Sequence, residues 1–264
     1  MLTHSACRNA SDDINSIRIC KIRAIPYNLD MDTAEKVIVI SKALSKELSS
    51  SSFEFTGTIY NPLEYAWENY ESFTAMAFPH QGNVLLVGMN PGPFGMMQTG
   101  VPFGNAEYAS SYLGINGKVG KPLCENPKRP IEGMAVRRRE VSGERLWQAA
   151  SMIGSRDEFF SIASIWTFCP LAFISEEGRN ITPVELPKCD RALIEAVCSE
   201  YLMRIIDAVQ PIRIAGIGGY ASKMVRGIGL ECSAIPHPSP RSPISSSFWP
   251  EKAAIEIRRL HDEA

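Results

Sequence analysis

Residues 84 to 104, V-L-L-V-G-M-N-P-G-P-F-G-M-M-Q-T-G-V-P-F-G, constrain this chain more than any other stretch. Val84 to Val87 is an apolar run, β-branched at both ends and too short for a helix. Flanked by Gly82-Asn83 and Gly88, it predicts a buried strand. The loop after it carries one amide side chain, Asn90, among glycine, proline and methionine. Pro91 and Pro93 hold φ and remove two N–H donors, while Gly92 and Gly95 let the backbone approach another group closely. Phe94 and Phe103 add aromatic rings. A plain connection needs only a few residues, so the 17 from Gly88 to Gly104 predict a site rather than a turn.

The rest of the chain alternates helix and strand signals. From Asp32-Thr33 onward, Val37, Ile38, Ile40, Ser41, Leu44 and Leu48 follow near-helical spacing, with Thr33 as the expected N-cap. Asn61-Pro62 opens a second helix, asparagine capping and proline in the first turn. Ser142 is expected to cap a third, carrying Leu146, Trp147, Ala150 and Ile153. Phe159 to Trp166 reads as a second buried strand ending in T-F-C-P-L. A long helix is expected from about Lys188 to Val209, stopped by Pro211. Ile212 to Ile217 is a third strand, Ser233 to Pro236 a fourth, and Pro250 starts a last amphipathic helix. Such alternation predicts an α/β fold, a three-layer α/β/α sandwich around a short, mostly parallel central sheet. Residues 1–31 lack periodicity and read as a tail or an upstream start; 32–264 read as a single domain.

With 264 residues, 45% hydrophobic and 21% charged, the composition is that of an ordinary globular chain. No apolar run approaches the ~18 residues of a membrane span, and the N-terminus has no secretory core. Seven cysteines without a C-x-x-C pair argue against a disulfide framework and a zinc site. An intracellular protein is expected, cytoplasmic or nucleoid-associated in a bacterium and nuclear in a eukaryote. The net charge is −2, but between Lys118 and Arg145 eight Lys or Arg stand against four Glu. That basic loop, with Arg137, Arg138 and Arg139 at its centre, suits phosphate contacts and suits a solvated surface equally.

If the four strands run parallel, Asn90, Thr167, Gly218-Gly219 and His237 follow their carboxyl ends along one edge, where open α/β sheets bind ligands. His237 lies in P-H-P-S-P-R, a stiff loop with Ser239 and Arg241. G-I-G-G at 216–219 matches a dinucleotide fingerprint weakly and lacks the acidic residue that should follow.

G-M-N-P-G-P-F-G-M-M-Q-T-G-V-P-F-G at 88–104 resembles the first active-site motif of the single-strand-selective monofunctional uracil-DNA glycosylases. H-P-S-P-R at 237–241 resembles their second, and N-P-L-E-Y-A at 61–66 a run found before their first strand. The resemblance covers roughly residues 32 to 264. It implies a uracil-DNA glycosylase-like fold and a monofunctional enzyme that flips out uracil or a related deaminated base. Hydrolysis of the N-glycosidic bond would then leave an abasic site. Asn90 would position the attacking water, His237 would stabilise charge on the leaving base, and Phe103 would stack on it. Met89, Gly92 and Met96 would shape the base pocket. Ser239 and Arg241 would contact DNA, Arg241 in the segment that wedges into the duplex, where Ser242 and Phe248 depart from the family. No metal or other cofactor is implied. The partner is DNA, single- or double-stranded, with no membrane and a monomeric enzyme. At position 167 the family carries an asparagine that pairs with the base, and threonine stands here. That departure leaves open a rival reading, a catalytically weak DNA-binding protein on the same fold.

Overall fold

A computed structural model describes residues 30–240 and 247–264. The tail expected over 1–31 lies, apart from its last two residues, outside the described residues, as does Arg241.

Seven strands are found among the described residues: β1 (Thr58–Tyr60), β2 (Val84–Gly88), β3 (Ala163–Thr167), β4 (Ala172–Ile174), β5 (Asn180–Ile181), β6 (Arg213–Ile217) and β7 (Ser233–Ile235). Four of them form a parallel sheet in the order β3-β2-β6-β7. Val84 to Gly88 are all buried, as a strand covered on both faces must be. The helices cover both faces of this sheet, giving a three-layer α/β/α arrangement. Thr33–Ser49 packs on Lys188–Val209 and Trp67–Ala77, and Val141–Ile153 packs on Trp249–Asp262.

From β2 the chain passes first to β3 on one side and later to β6 on the other. The loop leaving β2 therefore sits at the point where the strand order reverses, the position at which doubly wound sheets open a crevice. Register aligns the strand ends. Gly88 is opposite Thr167, Val87 opposite Gly216, and Ile217 opposite Ile235. The β2–β3 pairing continues past the strands, with Phe168 N–H donating to Gly88 O and Cys169 N–H to Met89 O, each at 2.9 Å.

Several local expectations change. Phe159 to Ile162 is helical, the end of Arg156–Ile162, and β3 begins only at Ala163. A capping box between Ser155 and Glu158 starts that helix, outweighing the aromatic and β-branched character of F-F-S-I. The first helix is capped by Asp32, not Thr33, in a capping box with Glu35. The third begins at Val141, with Glu140 rather than Ser142 as its N-cap residue. Asn61 accepts from Leu63 N–H as expected, but the helix it opens breaks at Ala66 into Pro62–Tyr65 and Trp67–Ala77. A second, antiparallel sheet in the order β1-β4-β5 was not foreseen. Its β4–β5 hairpin turns through Gly178 at φ +81°, in the left-handed region that glycine favours.

Candidate active site

The ends of the parallel strands open into a cleft of about 700 Å³. Met89, Asn90, Gly92, Met96, Phe103, Thr167, Arg138, Arg139, His237 and Ser239 all line it. These ten residues come from four separate stretches of chain. Arg137 is exposed and does not line the cleft.

His237 is the most thoroughly supported of the group. Ser239 N–H donates to its Nδ1 at 3.1 Å, so Nδ1 must be unprotonated and the neutral ring carries its proton on Nε2. Burial pulls the imidazole below its ordinary value, which keeps it neutral near pH 7. Both flanking prolines are tied down through their carbonyls. Trp249 Nε1 donates to Pro236 O at 2.8 Å, and Arg145 Nη1 to Pro238 O at 2.7 Å. Gly218 lies beneath the ring at φ +91° and ψ 160°, a region open essentially to glycine alone. A Cβ there would stand 3.2 Å from His237 Cβ. The G-I-G-G run thus seats a histidine, and the weak nucleotide match finds no support in its surroundings.

Asn90 stands two residues beyond β2. Its Nδ2 reaches Leu171 O at 3.5 Å, the long limit of a hydrogen bond. No hydrogen bond among the described residues engages its Oδ1, which is left to accept from a small donor such as water.

Phe103 is held under constraint. Its φ of +51° is unusual for an aromatic residue. Trp147 Nε1 donates to its carbonyl at 3.0 Å, and Gly143 lets that carbonyl pass where a Cβ would come within 2.1 Å. Its ring lies over Gly88, where a Cβ would meet Cε2 at 2.6 Å. Gly88 is in register with Thr167, and Phe103 and Thr167 line the same cleft. Thr167 is 7% exposed, and no hydrogen bond among the described residues engages its Oγ1.

The remaining wall is cationic. The guanidinium carbons of Arg138 and Arg129 lie 4.1 and 5.3 Å from the centre of the Phe94 ring, close enough for cation–π attraction. Arg179 lines the same wall and is bridged to Glu185. Arg139 is largely committed, bridged to Glu107 at 3.0 Å and Glu144 at 3.2 Å. Sequence reasoning missed Arg129, Arg179, Asn180, Thr182 and Glu140 as lining residues. Asn180 and Thr182 arrive on β5 and just after it. The run A-F-I-S-E-E-G-R-N-I, two short apolar stretches about a glycine turn, was the signal that could have found that hairpin.

A family model of the uracil DNA glycosylase superfamily matches residues 76–257. A single-strand selective monofunctional uracil-DNA glycosylase of Rattus norvegicus is 38% identical over 225 residues, covering 82% of this chain and 81% of that one. Its namesake from Mus musculus is 37% identical over 243 residues, covering 89% and 87% respectively. The crystal structure of wild-type SMUG2 from Pedobacter heparinus superposes with a TM-score of 0.65 at 21% identity, covering 88% of this chain and 99% of that one. At that identity the likeness speaks for the fold alone.

Proposed function

The chain belongs to the uracil DNA glycosylase superfamily, within it to the single-strand selective monofunctional uracil-DNA glycosylases, and from that premise we propose how its cleft excises a base. The enzyme is a monofunctional DNA glycosylase. The finer reading is that it hydrolyses the N-glycosidic bond of deoxyuridine, or of a related deaminated nucleotide, in single-stranded DNA and in locally opened duplex.

Flipping costs a few kcal/mol, least where the base is unpaired. The extruded base stacks on Phe103 and meets Thr167, with Met89, Gly92 and Met96 completing the pocket. As the bond from C1′ to the base breaks, its electron pair leaves with the base. His237 donates its Nε2 proton in a hydrogen bond to the base oxygen on which negative charge collects. A preorganised donor of this kind is worth roughly 3–4 kcal/mol in other enzymes. Asn90 Oδ1 accepts from a water whose oxygen then bonds to C1′, and the water's proton ends on the released base. Arg129 and Arg138, ordered on Phe94, take the phosphates beside the flipped nucleotide, and Ser239 contacts the strand from the histidine loop.

The observation that carries this reading is the tautomer of His237. A backbone donor on Nδ1 leaves only the Nε2 proton to offer, in a ring whose loop is held at both prolines. The test is abasic-site formation on a single-stranded oligonucleotide with one uracil. Wild type is expected to produce abasic sites, and His237→Leu to lose at least 100-fold in single-turnover rate while binding the strand equally well. Binding without product by wild type would overturn the reading and leave the DNA-binding alternative.

A further inference from the structure

A cleft that accepts a polyanion is expected to exclude negative charge, yet one carboxylate lines this one among the described residues, that of Glu140. Arg129, Arg138, Arg139, Arg179 and His237 are the other ionisable residues there. Glu140 is the N-cap residue of Val141–Ile153, but its side chain caps nothing. It turns instead onto the Asn90 loop, where Oε2 accepts from Phe94 N–H at 3.4 Å. Two glycines make room for it. A Cβ at Gly92 would lie 2.4 Å from Oε2, and one at Gly95 would lie 2.9 Å from Cγ. The carboxylate is therefore laid against the loop two residues from the side chain that positions water.

Space filling and a single accepted hydrogen bond could be met by glutamine without opposing DNA phosphates. What glutamine cannot supply is charge. Cleaving a glycosidic bond makes the sugar cationic, while Asn90 is a neutral amide and His237 a neutral imidazole on the base side. We infer that the ionised Glu140 carboxylate stabilises the cationic sugar through its field as the base departs. This rests on the glycosidic-hydrolysis reading above.

The groups facing the carboxylate are the Phe94 N–H from the loop and the Arg138 guanidinium from the preceding segment. Arg139 beside it is bridged to Glu107 and Glu144. Burial pushes the Glu140 carboxyl above its ordinary value, with Phe94 N–H and Arg138 pulling it partly back. Excision therefore needs a group that loses its charge as pH falls through a raised carboxylate value, which gives the rate an acid limb.

The experiment compares wild type, Glu140→Gln and Glu140→Asp in the full chain. Single-turnover excision of uracil from a single-stranded oligonucleotide is followed across pH, with equilibrium binding of the same sequence carrying thymine. Glu140→Gln is expected to fall 10- to 100-fold in rate, to bind the strand as well as or better than wild type, and to lose the acid limb. Glu140→Asp, which keeps charge but shortens the reach to Phe94, is expected to stay faster than Glu140→Gln. Glutamine matching wild type within twofold, or outperforming aspartate, would overturn the inference and leave the glycosylase reading intact. A parallel loss of affinity and thermal stability in Glu140→Gln would also overturn it, by making the residue a loop anchor only. Absence of product from wild type would overturn both.

Discussion

Replacing Thr167 by asparagine probes the position at which the family resemblance leads one to expect a base-pairing amide and threonine stands instead. The side chain lies at the carboxyl end of β3, in register with Gly88, over which the Phe103 ring packs. Its hydroxyl has no hydrogen bond among the described residues, so the substitution breaks no hydrogen bond of the fold there. The two side chains are of similar size, and packing should change little. A hydroxyl offers one rotatable bond, whereas an amide presents a donor and an acceptor at fixed separation, matching the N3–H and O4 edge of uracil. A bidentate base contact discriminates by about 1–3 kcal/mol, or roughly 5- to 150-fold. Thr167→Asn is expected to raise the uracil rate and its margin over other bases within that range. Wild type is expected to show a flatter ranking that extends to deaminated purines, since Asn90, Phe103 and His237 remain. The assay measures single-turnover excision from single-stranded oligonucleotides carrying uracil, xanthine, hypoxanthine or cytosine. An unchanged uracil rate and an unchanged ranking in Thr167→Asn would refute the reasoning, because Thr167 would then not meet the base.

Two further perturbations address the walls of the cleft. Arg129→Gln with Arg138→Gln should weaken single-strand binding and lower the slope of log K against log salt by about 1.4, at ~0.7 per phosphate contact. Arg137→Gln should leave that slope alone, and equal effects from all three would return the basic run to general surface charge. Gly218→Ala forces a side chain into a conformation that costs about 1–3 kcal/mol and crowds His237. Its denaturant midpoint should fall and excision should drop by more than the unfolded fraction explains. Wild-type values for both would dissociate Gly218 from the histidine.

Local chemistry in the sequence determined the parts of this protein that depend on a few neighbouring residues. The apolar run at 84–87, the Gly-Pro loop carrying Asn90, the proline-framed His237 and the helix at Lys188–Val209 were legible because backbone restriction and burial pattern act within a turn or a strand. Convergence of Asn90, Thr167 and His237 followed once the strands were taken as parallel, since loops at one sheet edge must be neighbours. Local rules failed at Phe159–Ile162, where a capping box outweighed β propensity. They could not reach the supports of the site. Trp147 and Gly143 hold the Phe103 carbonyl from about forty residues away, and Arg145 grips Pro238 across 93. Nothing near Gly92 and Gly95 in sequence announces that their missing side chains admit the carboxylate of Glu140. Nor does the run R-R-R-E foretell that Arg139 is spent on two glutamates while Arg138 settles on Phe94. Those assignments are made by packing between segments far apart in the chain. They depend on which side chain fills which gap, and only the assembled tertiary structure decides that.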